Sequence, residues 1–104
     1  MEYNIICFDL DNTLCVTIGA DYENSKPITD RIDKVNKLYD SGVTILIDTA
    51  RGSETGIDWT ELTETQLKEW GVKYHKLRVG VKLNADLYVD DKGMKDNIFF
   101  KYEN

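Results

Sequence analysis

Cysteine and proline are both scarce: Cys7, Cys15 and Pro27 are the only examples in 104 residues. The cysteines lack the CxxC spacing of a redox or zinc motif and sit in or beside an apolar strand. They read as reduced packing residues, with a structural disulfide as the weaker alternative. Positive charge is short too, with 13 lysines and arginines against 19 aspartates and glutamates, a formal charge of −6. That balance, without any basic stripe, argues against a general nucleic-acid or anionic-membrane surface, so no nucleic-acid partner is expected. No apolar run approaches the roughly 20 residues of a membrane helix, and no membrane association is expected. The opening MEYNIICF has neither the basic region nor the long apolar core of a secretory signal, so the expected location is cytoplasmic. Repeats, low-complexity tracts and linkers are absent as well. Residues 1–104 therefore read as one domain, with an apolar share of 41% that is enough for a single core.

What is present alternates between strand-like and helical stretches. YNIICFD is almost continuously apolar, the pattern of a strand buried on both faces. Residues 12–27 form a long polar connection. ITDRIDKVNKLYDSG places Ile28, Ile32, Val35, Leu38 and Tyr39 on one helical face, with Thr29 as the expected N-cap and Gly42 as the stop. VTILID, residues 43–48, is a second buried strand. Asp58 and Glu61 have capping-box spacing for a second helix ending near Trp70-Gly71. VKYHKLRV is a weaker third strand and ADLYVDD a fourth, while NIFFKY is either a short fifth strand or part of a last helix. This order predicts an α/β domain with a central parallel sheet flanked by helices, a three-layer sandwich.

Ligands of such sheets bind at the carboxyl ends of the strands. The first strand ends on Asp9 and Asp11, the second on Asp48-Thr49-Ala50-Arg51, the third before Gly80 and Lys82, and the fourth on Asp90-Asp91. Carboxylates gathered this closely repel one another, and a divalent cation with oxygen ligands relieves that repulsion. Mg²⁺ suits such a site because it takes one or two carboxylates and leaves room for water and a phosphate. Thr49 adds a hydroxyl donor and Lys82 a point charge suited to a phosphoryl oxygen. Two acids on one strand end divide labour: Asp9 is suited to nucleophilic attack, and Asp11 to proton transfer at the leaving group.

Taken in order, DLDNT, Thr49 in LIDTARG, Lys82 and VDD resemble the four motifs of the haloacid dehalogenase-like superfamily of phosphohydrolases. YENSKPI, DTARGSETG, WTELTETQLKEWGVKYHKL and ADLYVDDKG narrow the resemblance to small capless members found with bacterial capsule and surface-polysaccharide genes. It spans residues 3 to about 93. The resemblance implies a Rossmann-like sheet with no cap domain, and an aspartyl-phosphate on Asp9. It implies Asp11 as general acid and then base, with its backbone carbonyl on Mg²⁺. Thr13 would brace the loop, and Thr49 and Lys82 would hold the phosphoryl oxygens. Asp91, with Asp90 helping or orienting Lys82, would complete the metal site, and Asn12, Thr13, Ala50 and Arg51 would border the substrate. Two departures stand out. Asn12 occupies a place where glycine is commoner, which Asn tolerates by accepting a left-handed conformation. Lys82 lies in GVKLNAD rather than Gly-Lys-Pro, with Lys76 or Lys92 as substitutes.

Other residues have plainer alternatives. Arg51 is either a bidentate clamp on substrate or a structural loop residue. Asp48 is either structural and hydrogen-bonded or functional. His75 reads as packing or surface, Trp59 and Trp70 as core or lid packing, and TELTET as a solvated helix face. The expected function is a Mg²⁺-dependent phosphatase for a small phosphorylated substrate, with a phosphorylated sugar preferred on the strength of the resemblance. Residues 12–27 and 51–60 would shape the site, with Tyr22, Lys26 and Arg51 as selectivity candidates. An open site of this kind admits a large substrate, or closure by another subunit of a homo-oligomer. The rivals are a nucleotide or polynucleotide 3′-phosphatase and, from another class, a phosphoacceptor signalling domain. An acid two residues after the nucleophile serves turnover and speaks against the latter.

Overall fold

The computed structural model describes residues 4–80, 87–89 and 100. The expected site residues Lys82, Asp90 and Asp91, the substitute Lys92, and the segment NIFFKY apart from Phe100 lie outside the described residues. In chain order the elements are β1 (Ile5–Asp9), β2 (Cys15–Val16), a 3₁₀ turn (Tyr22–Asn24), β3 (Lys26–Pro27), α1 (Thr29–Asp40), β4 (Thr44–Thr49), α2 (Thr60–Glu69), β5 (Lys76–Val79) and β6 (Leu87–Val89). The chain is thus an α/β fold. Its main sheet is parallel throughout, in the order β5-β4-β1-β6.

β1 lies inside this sheet with neighbours on both edges, which is why its sequence is apolar without alternation. Ile6, Cys7 and Phe8 are all fully buried. The register sets Ile5 against Thr44 and Asp9 against Asp48 on β4, and Phe8 against Val89 on β6. The chain steps from β1 to β4 to β5 in one direction, and β6 lies on the other side of β1. That reversal is a topological switch point, where open parallel sheets form a crevice beyond their carboxyl ends. Right-handed crossovers in a single direction place both helices on one face. Ile32, Val35 and Leu38 of α1 and Leu67 of α2 accordingly share one core with Ile6, Phe8, Ile45 and Ile47.

Both helices stop in the same way. Gly42 N–H donates to Tyr39 and Val43 N–H to Leu38; Gly71 N–H donates to Lys68 and Val72 N–H to Leu67. These are paired Schellman motifs, and they swing buried Val43 and Val72 under the helix each has just left. The second motif and the residues after it occupy 70–75, so the third strand is shorter than VKYHKLRV suggests and begins only at Lys76.

The helix starts differ from expectation. Thr29 is the first helical residue rather than the cap, and Ile28 holds the cap position without a side-chain bond. Asp58 forms no capping box with Glu61. Its carboxylate accepts the Thr60 N–H at 2.9 Å, two residues on; the Thr60 side chain first, and this backbone bond second, hold the carboxyl below the usual range. Residues 12–27 are also more ordered than a polar connection, because β2 and β3 pair as an antiparallel ribbon. Strands of two residues are too short for any hydrophobic period to reveal. Among the described residues no helix is long and apolar enough to cross a membrane.

Candidate functional site

Asp9 is the last residue of β1 and Thr49 the last of β4, so the sheet brings them to the same edge. Side chains alternate along a strand. Asp9 and Asp48 therefore share the face of Cys7, while Thr49 follows Ile45 and Ile47 onto the helix side. Past Asp9 the chain turns sharply: the N–H groups of Thr13, Leu14 and Cys15 all converge on the Leu10 carbonyl. Asn12 takes a left-handed conformation at φ 62°, as its residue type allows, and its side chain accepts the Thr17 N–H at 3.0 Å. Thr13 is buried, and its carbonyl accepts a 2.9 Å bond from Arg31 of α1, which braces the turn.

Asp11 is held by several hydrogen bonds and an ion pair. Arg51 Nη2 donates to Oδ1 at 2.8 Å, and Arg51 Nε donates to Oδ2 at 3.0 Å, a two-point ion pair. Thr17 donates to Oδ1 at 2.7 Å, and Thr49 lies 3.5 Å from Oδ2. A hydroxyl carries one proton, so with Thr17 donating to Asp11, Ser25, 2.7 Å away, must donate to Thr17. The Asp11 carboxylate remains 21% exposed, whereas the Arg51 side chain is fully buried.

Arg51 is thus the structural one of its two alternatives. Nη1 donates to Gln66 Oε1 at 2.7 Å and to Thr63 Oγ1 at 3.1 Å, and Nη2 also reaches Ser25 at 3.4 Å. With the two bonds to Asp11, all five guanidinium N–H groups are engaged, and the Tyr22 ring lies 4.7 Å from Cζ. Gln66 in turn donates to the Tyr22 carbonyl at 2.6 Å. One buried cation therefore ties α2 and the β2–β3 ribbon to the acid that follows the first strand.

Thr17, Ser25, Thr63 and Gln66 were not visible as site residues in the sequence. Thr63 lies in TELTET, whose Glu61 and Glu64 are solvated as expected, but Thr63 itself is fully buried. The i, i+3 spacing of Thr63 and Gln66 is the one available signal that two polar residues share a face. Cys15 lies beneath Asp11, with Sγ 3.6 Å from Oδ1. Burial first, then the nearby carboxylate, raise its pKa and keep it a thiol. Both cysteines are free.

Lys76 opens β5 opposite Leu46, whereas the carboxyl end of that strand is Val79 opposite Thr49. At about 3.3 Å per residue it sits roughly 10 Å from the site edge, which removes it as a substitute for Lys82. His75 is also remote. Its Nδ1 accepts the Ile45 N–H at 3.0 Å and its ring stacks on Tyr39 at 4.5 Å, a packing role. Lys26 is exposed on β3.

Beyond β4 lies a pocket of about 340 Å³, lined by Ala20 and Tyr22 from the ribbon and by Ala50, Gly52, Ser53, Glu54, Thr55, Ile57 and Trp59. Tyr22 and Trp59 meet edge to face at 5.0 Å. Trp59 therefore packs against Tyr22 at the pocket wall, whereas Trp70 packs against the core. Gly52 makes the loop possible. It sits at φ +80°, and a Cβ there would lie 2.0 Å from the Ile57 carbonyl oxygen.

A Mg²⁺ ion needs hard oxygen donors. Asp9 offers a carboxylate at the strand end. Asp11's carboxylate is committed to Arg51 and Thr17, but no described residue donates to its backbone carbonyl. These two oxygens fit the ion in kind. Among the described residues no group of three His, Cys, Asp or Glu forms a metal cluster, and the other expected ligands, Asp90 and Asp91, fall outside that set.

No protein-family model matches the sequence, and no curated protein matches it significantly. Among solved structures, a crystallised protein from Vibrio cholerae superposes with a TM-score of 0.76 and 26% identity, over 94% of this chain and 88% of its own. A hypothetical protein from Xanthomonas campestris aligns at 23% identity and a TM-score of 0.43, over 76% of this chain and 40% of its own. The first likeness supports the α/β architecture of the described residues.

Proposed function

We propose that the chain is a haloacid dehalogenase-like, Mg²⁺-dependent phosphomonoesterase that works through an aspartyl-phosphate on Asp9, within a three-layer α/β/α domain. The carrying observation is the pairing at one sheet edge. Asp9 ends the inner strand, and two residues on Asp11 is gripped by Arg51 and Thr17 beside Thr49 of the neighbouring strand. Burial of Cys7 and Asp48, on the sheet face turned away from the two helices, supports the third layer.

In this reading an Asp9 carboxylate oxygen attacks phosphorus. The bond from phosphorus to the leaving oxygen breaks, and that oxygen takes its electron pair and a proton from Asp11. Water then attacks the phosphoaspartate and gives a proton back to Asp11, which frees orthophosphate and restores Asp9. In the described geometry both Asp11 oxygens accept hydrogen bonds from Arg51 and Thr17. These bonds hold the acid facing the reacting centre. The Thr49 hydroxyl oxygen accepts the Arg51 backbone N–H at 3.2 Å, while its proton, with Asp11 Oδ2 3.5 Å away, is only weakly engaged and can serve a phosphoryl oxygen. Mg²⁺, held by the Asp9 carboxylate and the Asp11 carbonyl together with Asp90 or Asp91, would offset charge on the transferring phosphoryl group. Lys82 would add a second positive contact.

The test is phosphate release from sugar phosphates, nucleotides and oligonucleotide ends, with and without Mg²⁺. Release that needs the ion and vanishes in Asp9→Asn is expected. An unchanged rate in Asp9→Asn would sink the nucleophile assignment, and stable phosphorylation without turnover would favour a signalling domain.

A further inference from the structure

The pocket beyond β4 takes in Ala50, the residue after Thr49, and Tyr22, whose ring packs on the Arg51 that holds Asp11, so it borders the candidate site. Its composition is one-sided. Tyr22 and Trp59 form an aromatic corner, Ser53 and Thr55 bring hydroxyls, and Glu54 is the one charged side chain among the described lining residues. The nearest cation in sequence, Arg51, is 1% exposed with every donor engaged inward, so it offers the pocket nothing.

We infer that this pocket is the leaving-group subsite for an uncharged, hydroxyl-rich ring, and that it rejects phosphomonoesters carrying a second anionic group. The inference rests on the phosphatase reading for the reaction, and on the pocket's own lining for the selectivity. At about 340 Å³ the cavity is at the small end of ligand pockets, which run from about 300 to 1,000 Å³. A sugar ring presents C–H faces to aromatic side chains and hydroxyls to Ser53, Thr55 and Glu54, which accepts from them. A carboxylate or second phosphate in the same place meets Glu54 with no cation among the described lining residues to offset it, and like charges a few ångströms apart in a half-shielded pocket repel.

The experiment uses the full chain with Mg²⁺ and two matched pairs: glucose 6-phosphate against 6-phosphogluconate, and fructose 6-phosphate against fructose 1,6-bisphosphate. The neutral-ring member of each pair is expected to show a kcat/KM at least about tenfold higher. Glu54→Lys is expected to shrink that ratio about tenfold or invert it. Binding is read separately from turnover, by NMR shifts of the Trp59 indole N–H and the Gly52 and Ser53 amides on adding each compound. Equal or better kcat/KM for the doubly anionic substrates, or a ratio unmoved by Glu54→Lys, overturns the subsite while leaving the reaction standing. If no compound releases phosphate but the neutral-ring member alone shifts those signals, the selectivity holds and the reaction assignment falls.

Discussion

Replacing Arg51 by methionine keeps most of the side-chain volume and removes the guanidinium. The substitution strips Asp11 of its two-point partner and leaves Gln66 Oε1 and Thr63 Oγ1 without their donor. Breaking a buried ion pair from one side costs about 3–5 kcal/mol, since the remaining charge and acceptors are stranded. Asp11 is 21% exposed and keeps its bond from Thr17, so water can reach part of it, and the lower end, about 3 kcal/mol, is expected. With a urea slope of about 1–1.5 kcal/mol/M for a small domain, that loss lowers the unfolding midpoint by about 2–3 M with no change of slope. Arg51→Met combined with Asp11→Asn removes both charges and should recover part of the loss, with a coupling of about 1–3 kcal/mol in the double-mutant cycle. If the chain is a phosphatase, Arg51→Lys should stay folded yet lower kcat more than it raises KM, because one ammonium cannot fix both carboxylate oxygens. A loss below about 1 kcal/mol, or strict additivity of the two substitutions, would place the pair among ordinary surface ion pairs and refute the argument.

Gly52→Ala sets a methyl against the Ile57 carbonyl in a left-handed backbone. It should cost about 2–4 kcal/mol or force the loop open, seen as a lowered urea midpoint together with altered Trp59 fluorescence. Cys15 should resist iodoacetamide in the native protein and react once unfolded. Its raised pKa also means that above about pH 9 the unfolded chain ionises this thiol first, so stability falls as pH rises, and Cys15→Ala should flatten that part of the curve. If the chain is a phosphatase, Asp11→Asn should cut phosphate release about 10²–10⁴-fold and let phosphorylated enzyme accumulate, measured by intact mass; unaltered turnover would remove Asp11 from proton transfer.

The parts of the fold that could be read from the sequence are those where one element alone carries the signal. β1 announced itself through IICF because a strand with neighbours on both sides needs apolar residues on both faces. α1 did so through Ile32, Val35 and Leu38, and the left-handed turn at Asn12 followed from residue type. The ribbon of Cys15–Val16 and Lys26–Pro27 left no such trace, because two-residue strands have no period. The polar network around Asp11 was hidden for a different reason. Thr17, Ser25, Arg51, Thr63 and Gln66 come from separate stretches, and each looks ordinary within its own. Only the packing of α2 and the ribbon over the strand ends makes them one unit. Arg51 shows the consequence most clearly: its motif context suggested a substrate clamp as readily as a structural residue, and burial settled it as the latter.

Gly52 and its neighbours also determine where this chain can be lengthened. An added Cβ at Gly52 meets the Ile57 backbone, whereas at Gly19 and Gly56 it meets nothing within 4 Å. Added bulk therefore has room at the outer turns and none at the loop's root. An engineer, or gene duplication, could graft a roof onto Gly19 or Gly56 while the floor at Ala50 and Gly52 stays as built. Growth from those two turns would change what can reach the crevice and leave the arginine-held acid beneath it untouched.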